Sequence, residues 1–383
     1  MPGHCIENYV AGTVIAALKK PYAPGSILDE IGAERIETIF QPKHNKEGIE
    51  TIVSIYLKRK NKQAVISAIE QLQAHPDVVY AEPDYIEYLY LTPNDPLFKR
   101  LWGMKAIQAP RAWDHITESP NVIVGVLDSG VDNSHPDLKP NLVHASGAFD
   151  RRDEDGHGTH VAGTIGAVGD NGIGVAGVCW GVGLANFKLG GRAFGTASAI
   201  AAIDCAAKRR IEIINCSWGG NGYSRALKFA IEQHGGLFIA AAGNSGKNND
   251  KFPSFPASYD SDNIISVAAS TPHNNLAPFS NYGVKSVDIA APGMNILSTT
   301  LNGKYRYLNG TSMAAPHVSG AAALLKTYRP NLTPQQMKQV ILASAKVYPG
   351  LRGKVTTGGA LNINAMLEMA GTPPARKHAL GHL

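Results

Sequence analysis

Three segments of this 383-residue chain put an acid, an imidazole and a hydroxyl where polypeptides do chemistry. Asn309-Gly310-Thr311-Ser312-Met313-Ala314-Ala315-Pro316-His317 sets a serine on a glycine turn at the mouth of an apolar helix. Ser312 to Lys326 is small and hydrophobic, which predicts a buried helix whose free N–H groups favour negative charge. A serine there can attack a carbonyl while a neighbouring N–H holds the oxyanion, or it can simply cap the helix. Upstream, the apolar run Asn121 to Leu127 reads as a buried parallel strand ending in Asp128, a carboxylate at a strand's carboxyl end. Asp155-Gly156-His157-Gly158-Thr159-His160 then opens a second small-residue helix, its glycines allowing other backbone close to the imidazole. Taken singly, Asp128 reads equally as a turn cap, and His157 reads as a structural histidine before it reads as a catalyst. Together the three side chains suit nucleophilic acyl transfer: base, orienting acid and nucleophile.

At this point the chain resembles the subtilisin-like serine proteases (subtilases), through VIVGVLDSGVD, HGTHVAGT and NGTSMAAPHVSG in the order Asp, His, Ser. A fourth stretch, Phe238 to Gly246, resembles the strand and turn that carry the family's oxyanion asparagine, here Asn244. The resemblance runs over roughly residues 94 to 370. It implies that Ser312 is the nucleophile, His157 the base and acid, and Asp128 the group that fixes the imidazole tautomer. Asn244 would donate its amide to the oxyanion beside the Ser312 N–H. The segment Ser217-Trp218-Gly219 resembles the family's edge that pairs with substrate as an added strand. With Ala241, Ala242 and Gly243 it would wall the first specificity pocket, with Ser254 at the base. No acid stands among these residues, so apolar or broad preference is expected. The other edge departs from the family's Lys-Val-Leu: this chain has Lys188-Leu189-Gly190-Gly191, with Phe194 and Gly195 nearby.

The elements that must position these groups alternate strand and helix. Strands are predicted at 121–128, 183–189, 211–217, 236–242 and 264–269, and helices at 157–168, 196–210, 224–234, 312–327 and 334–345. That order predicts an α/β fold with a parallel sheet and helices on both faces. Residues 1–92 differ: strands at Gly12–Leu18, Arg35–Phe40, Glu50–Lys58 and Val78–Tyr85 with helices at Ser26–Ala33 and Lys62–Ala74 give βαββαβ, a small α+β ferredoxin-like unit. Ala74 to Asp84 resembles the end of a subtilase propeptide, which implies an inhibitory folding template; an unrelated accessory domain is the alternative. Residues 1–92 carry 9 Lys+Arg against 12 Asp+Glu, and the remainder 27 against 19, so opposite charge favours their association. The domains expected are therefore 1–92 (propeptide with cleavable linker), 93–370 (catalytic) and 371–383 (loose tail). Cleavage is expected within Tyr88–Thr92, after Tyr90 or Leu91, because Pro93 directly after a scissile bond lacks an N–H and crowds the cleft.

His135-Pro136-Asp137 and the loop Val168 to Val175 resemble calcium-binding segments of the family, with Asp95 a further ligand. Asp95, Asp137, Asp170 and Asn171 would supply hard oxygens to a structural calcium, although Asp137 could as well cap a turn. Cys5, Cys179, Cys205 and Cys216 are too sparse for a disulfide framework and read as free thiols. No apolar stretch reaches 18 residues, so no membrane span is expected, and a net charge of +5 gives no nucleic-acid signature. A monomer acting on polypeptides, held by its own propeptide, is expected. The inhibitory prodomain points to secretion, while the lack of a visible signal leaves an intracellular enzyme open. Two other chemistries fit the same residues: peptide ligation through the acyl-enzyme, and a hydrolase using zinc on His157 and His160.

Overall fold

A computed structural model describes residues 9–19, 27–43, 48–86, 91–143 and 152–371. The chain divides into two compact units, 1–89 and 90–383. The first comprises β1 (Tyr9–Leu18), α1 (Ile27–Glu30), β2 (Ala33–Phe40), β3 (Thr51–Leu57), α2 (Lys62–Gln73) and β4 (Val78–Tyr85). Its antiparallel sheet runs β2-β3-β1-β4. Val65, Ala68, Ile69 and Leu72 fall on one helical face of α2 and share a core with Val14, Ala16, Val53 and Ile55 of the strands. The helix expected over Ser26–Ala33 is shorter, because Gly32 takes a φ of +72° and turns the chain into β2; Ser26 itself lies outside the described residues.

The second unit begins with short helices α3 (Trp102–Ala106) and α4 (Ala109–Trp113) and then β5 (Glu118–Asp128), β6 (Leu142–Val143), α5 (His157–Gly166) and β7 (Gly181–Lys188). It continues with α6 (Thr196–Lys208), β8 (Ile213–Cys216), α7 (Arg225–His234), β9 (Leu237–Ala241), β10 (Ile264–Ser270) and β11 (Ile289–Pro292). A hairpin of β12 (Ile296–Thr300) and β13 (Lys304–Leu308) leads into α8 (Thr311–Tyr328), and α9 (Pro334–Ala343), β14 (Lys346–Val347), β15 (Gly359–Ala360) and α10 (Ile363–Ala370) are the last of the described elements. The sheet order is β14-β15-β11-β10-β9-β8-β5-β7-β6, parallel except for the β14·β15 pair.

The strands are apolar on both sides because both faces are covered. Val124, Val126 and Ile213 pack with α5 and α8, whereas Leu127, Ile214 and Phe238 pack with α6 and α7. Chain order reverses at β5, which has β7 on one side and β8 on the other, so a crevice opens at the carboxyl ends of β5 and β8. Asp128 ends β5, and Ser217 follows β8. α8 runs through the core with almost every residue buried, as its unbroken small-apolar sequence requires. Among the described residues no helix is long and apolar enough to cross a membrane.

Candidate active site

Asp128, His157, Asn244 and Ser312 line one cleft of about 510 Å³, together with Ser217, Trp218, Gly219, Arg192, Phe194, Arg306 and Leu308. The short spacing inside the His157 segment has a steric cause. Gly156 turns with φ +88° into α5, and a Cβ at Gly158 would lie 2.1 Å from the Gly130 carbonyl oxygen, so only glycine lets α5 approach the end of β5. That approach puts His157 Nδ1 2.7 Å from Asp128 Oδ1 and leaves Nε2 for the cleft. Asp128 is buried, and its Oδ1 also accepts the Ser129 N–H at 2.7 Å.

Beneath this pair lies a residue that the sequence reading missed. Asp153 is buried and accepts the Ser129 hydroxyl, the Asp155 N–H, and both the N–H and hydroxyl of Thr159. Burial would raise its pKa; the Thr159 hydroxyl and the N–H groups of Gly156, Thr159 and Asp155 hold it below the usual carboxylate value. For His157, burial pulls the pKa down. The charge and hydrogen bond of Asp128, with Asp155 and Asp153 behind it, outweigh that and place it above 6.5.

Ser312 sits in the first turn of α8, where its N–H has no intrahelical acceptor. Pro316, four residues on, has no N–H to offer the Ser312 carbonyl. Ser217 fills that gap: its hydroxyl donates to the Ser312 carbonyl at 2.8 Å, and the Ser312 hydroxyl donates back to the Ser217 carbonyl at 3.0 Å. Asn215 donates to the Ser217 hydroxyl and accepts from Ser319, extending the brace along α8. A nucleophilic role for Ser312 would require its hydroxyl to leave the Ser217 carbonyl for His157.

Asn244 is exposed to the cleft with a fixed amide. Its Oδ1 accepts the Thr311 N–H at 2.8 Å and the Thr311 hydroxyl at 3.0 Å, and that hydroxyl also accepts the Gly243 N–H at 3.1 Å. Two donors on Oδ1 fix the amide orientation and turn Nδ2 outward. The proximity of Thr311 to Ser312 in NGTS was the available signal for this role.

Among the expected wall residues, Ser217, Trp218 and Gly219 line the cleft, whereas Ala241 and Ala242 are buried behind it. A Cβ on Gly219 would lie 3.0 Å from Ser254 Oγ, and one on Gly243 3.5 Å from it, so both glycines clear the space in front of Ser254. Phe194 stands edge-on to Trp218 with ring centroids 5.2 Å apart, building the opposite lip.

The four expected metal ligands lie on neighbouring loops. Asp95 and Asp137 are buried, and burial raises the pKa of both. Asp95 Oδ2 accepts the Asp170 N–H while Oδ1 has no partner, an orphaned oxygen in a buried acid. Asp137 is held by Asn171 Nδ2, the Val175 N–H and the Tyr305 hydroxyl. Asp170 is exposed, with Oδ1 on the Asn94 N–H. Among the described residues no three His, Cys, Asp or Glu side chains stand at metal-holding spacing, so a cation here would depend on carbonyl and amide oxygens as well.

The zinc alternative fails on His160. Its Nε2 lies 3.0 Å from the Ile296 carbonyl and 3.1 Å from the Arg306 carbonyl, and burial pushes its pKa down to about 3, so the ring is a neutral donor to backbone. Cys179 and Cys216 are buried free thiols and Cys205 a half-buried one; Cys5 lies outside the described residues.

A family model described as the subtilase family matches residues 119–371. A thermophilic serine proteinase of Bacillus sp. (strain AK1) is 36% identical over 330 residues, covering 83% of this chain and 78% of that one. The major intracellular serine protease of Bacillus subtilis is 41% identical, covering 59% of this chain and 75% of its own. Among solved structures, a protease from Pseudoalteromonas arctica is similar with a TM-score of 0.64 and 30% identity, covering 73% of this chain and all of that one.

Proposed function

The chain belongs to the subtilase family and is a subtilisin-like serine endopeptidase, and from that premise we propose that Asp128, His157 and Ser312 are its catalytic triad. The observation that carries the reading is the 2.7 Å His157–Asp128 bond in the cleft that also holds Ser312 and Asn244. His157 Nε2 takes the Ser312 proton as Oγ attacks the peptide carbonyl. Asp128 fixes the tautomer and stabilises the imidazolium. The oxyanion receives the Asn244 amide and the Ser312 N–H, aided by the N-terminus of α8. His157 then protonates the leaving amine, and water repeats the sequence on the acyl-enzyme. The uncharged space before Ser254, with Trp218 at its side, supports apolar or broad selection of the residue before the cut.

The enzyme is made as a self-processing zymogen with domains 1–92, 93–370 and 371–383, the first acting as intramolecular inhibitor. The βαββαβ unit and the surplus of acidic residues in 1–92 support this. Tyr88, Leu89 and Tyr90 of the expected cleavage segment, and the tail beyond Gly371, lie outside the described residues. Calcium is the structural cofactor: buried Asp95 and Asp137, the orphaned Asp95 oxygen and Asn171 form a donor set suited to a hard cation. The enzyme acts as a monomer, and the inhibitory prodomain supports secretion; the second reading is an intracellular setting, after the name of the Bacillus subtilis relative.

Expression of Ser312→Ala beside the parent tests the assignment. The variant should remain a full-length chain while the parent yields a shortened catalytic fragment starting near residue 91. A variant that is cut like the parent when no other protease is present would remove Ser312 from the mechanism. Product masses from a defined peptide separate hydrolysis, which adds water, from ligation.

A further inference from the structure

Among the described residues, one charge in the cleft is left without a counterpart. Asp128 is committed to His157, and Asp155 pairs with Arg192 at 2.7 Å. Arg306 lines the same cleft, yet among the described residues its guanidinium has no ion pair or side-chain hydrogen bond. The backbone that carries it is fixed nonetheless. Arg306 pairs in register with Ser298, whose hydroxyl bonds the His160 carbonyl, and the Arg306 carbonyl accepts from His160 Nε2 at 3.1 Å. The strand is thereby pinned to α5 one turn beyond His157. A Cβ on Gly156 would stand 3.4 Å from Arg306 Nη2, so the guanidinium lies beside the residue preceding His157.

The side of the scissile bond follows from this placement. The acyl half of a substrate follows Ser217 to Gly219, where it can add as a strand. The leaving amine receives its proton from His157, so the leaving half starts beside that ring, whose preceding residue Gly156 adjoins the Arg306 guanidinium. We infer that Arg306 makes this enzyme prefer peptides carrying an Asp or Glu within the first three residues after the scissile bond. The preference rests on the triad assignment above and deepens it. Because Arg306 is an exposed side chain, the attraction is of the screened, modest kind found between solvent-accessible charges.

Fluorogenic peptides identical except for Glu, Ala or Lys at the first, second or third leaving-side position test the inference through kcat/KM. The parent should favour Glu over Ala by about 1.5- to 5-fold at one position, with Lys disfavoured, and the ratio should shrink in about 1 M salt. Arg306→Ala should bring the Glu/Ala ratio to one, Arg306→Glu should invert it, and Arg192→Ala should leave it in place. A flat ratio in the parent, or one that survives Arg306→Ala or disappears with Arg192→Ala, overturns the inference. If the alanine peptide is cleaved while the ratio is flat, only this inference fails. If no peptide is cleaved and Ser312 takes no serine-directed label, the triad reading fails and this one with it.

Discussion

On the proposed mechanism, replacing Asn244 by alanine removes a hydrogen-bond donor aimed at charge that exists only in the transition state. Thr311 grips Oδ1 through two bonds of 2.8 and 3.0 Å, so the opposite nitrogen is preorganised and costs nothing to orient during reaction. Loss of such a donor costs about 10²–10³ in kcat, a magnitude measured on a member of this same family rather than worked out from this structure. What this structure adds is the size of the supporting step. Thr311→Val deletes the 3.0 Å bond to Asn244 and leaves the Gly243 N–H without its 3.1 Å acceptor, while the Thr311 N–H still holds Oδ1. One neutral hydrogen bond is worth about 0.5–1.5 kcal/mol, so kcat should fall by about 2- to 13-fold, far less than for Asn244→Ala. Thr311→Ser keeps the hydroxyl and should stay near the parent. Steady-state kinetics on one peptide, with active-site titration, gives kcat and KM separately; both variants should lose kcat with KM little changed. An Asn244→Ala enzyme with a parental kcat would refute the oxyanion assignment, and a Thr311→Val loss equal to that of Asn244→Ala would refute the supporting role.

Activity should rise as His157 deprotonates, and because its pKa is held above 6.5, the acid limb of kcat/KM should lie above that pH. Asp155→Asn removes one of the charges that raise it, so the limb should move to lower pH; an upward shift or no shift contradicts the electrostatic account. Chelation of calcium should lower the thermal midpoint of the parent, and Asp137→Asn should blunt that response; a midpoint indifferent to chelator and to added calcium speaks against the site. Gly163→Ala would press a Cβ to within 2.1 Å of Thr299 Oγ1 and 2.6 Å of Ser298 Oγ, forcing α5 off β12. Denaturant unfolding should show a loss of about 1–3 kcal/mol, as overpacking does elsewhere; a neutral result would mean that the α5–β12 contact yields freely.

The parallel sheet was legible because its strands are unbroken apolar runs and its helices carry starts such as Thr333-Pro334 and Gly156-His157. The structure shows a capping box at Thr333 and Gln336. The hairpin that carries Arg306 and Leu308 was not assigned, since β13 is five residues of mixed polarity with little burial. Its signal was Asn302-Gly303, whose φ values of +62° and +69° make the tight turn between the strands. β11, β14 and β15 were missed for a related reason: at two to four residues they are shorter than any periodicity can register. Asp153 acts through hydrogen bonds to backbone and hydroxyl groups brought from elsewhere in the chain, and no spacing rule marks such a residue in advance.

Covalent labelling with a serine-directed phosphonyl or sulfonyl reagent, read by intact mass and peptide mapping, tests most directly whether the three side chains act as one unit. The account predicts one adduct per chain on Ser312, formed by the parent and lost in His157→Ala although the variant remains folded. An adduct on another residue, or undiminished labelling of Ser312 without the imidazole, would contradict it.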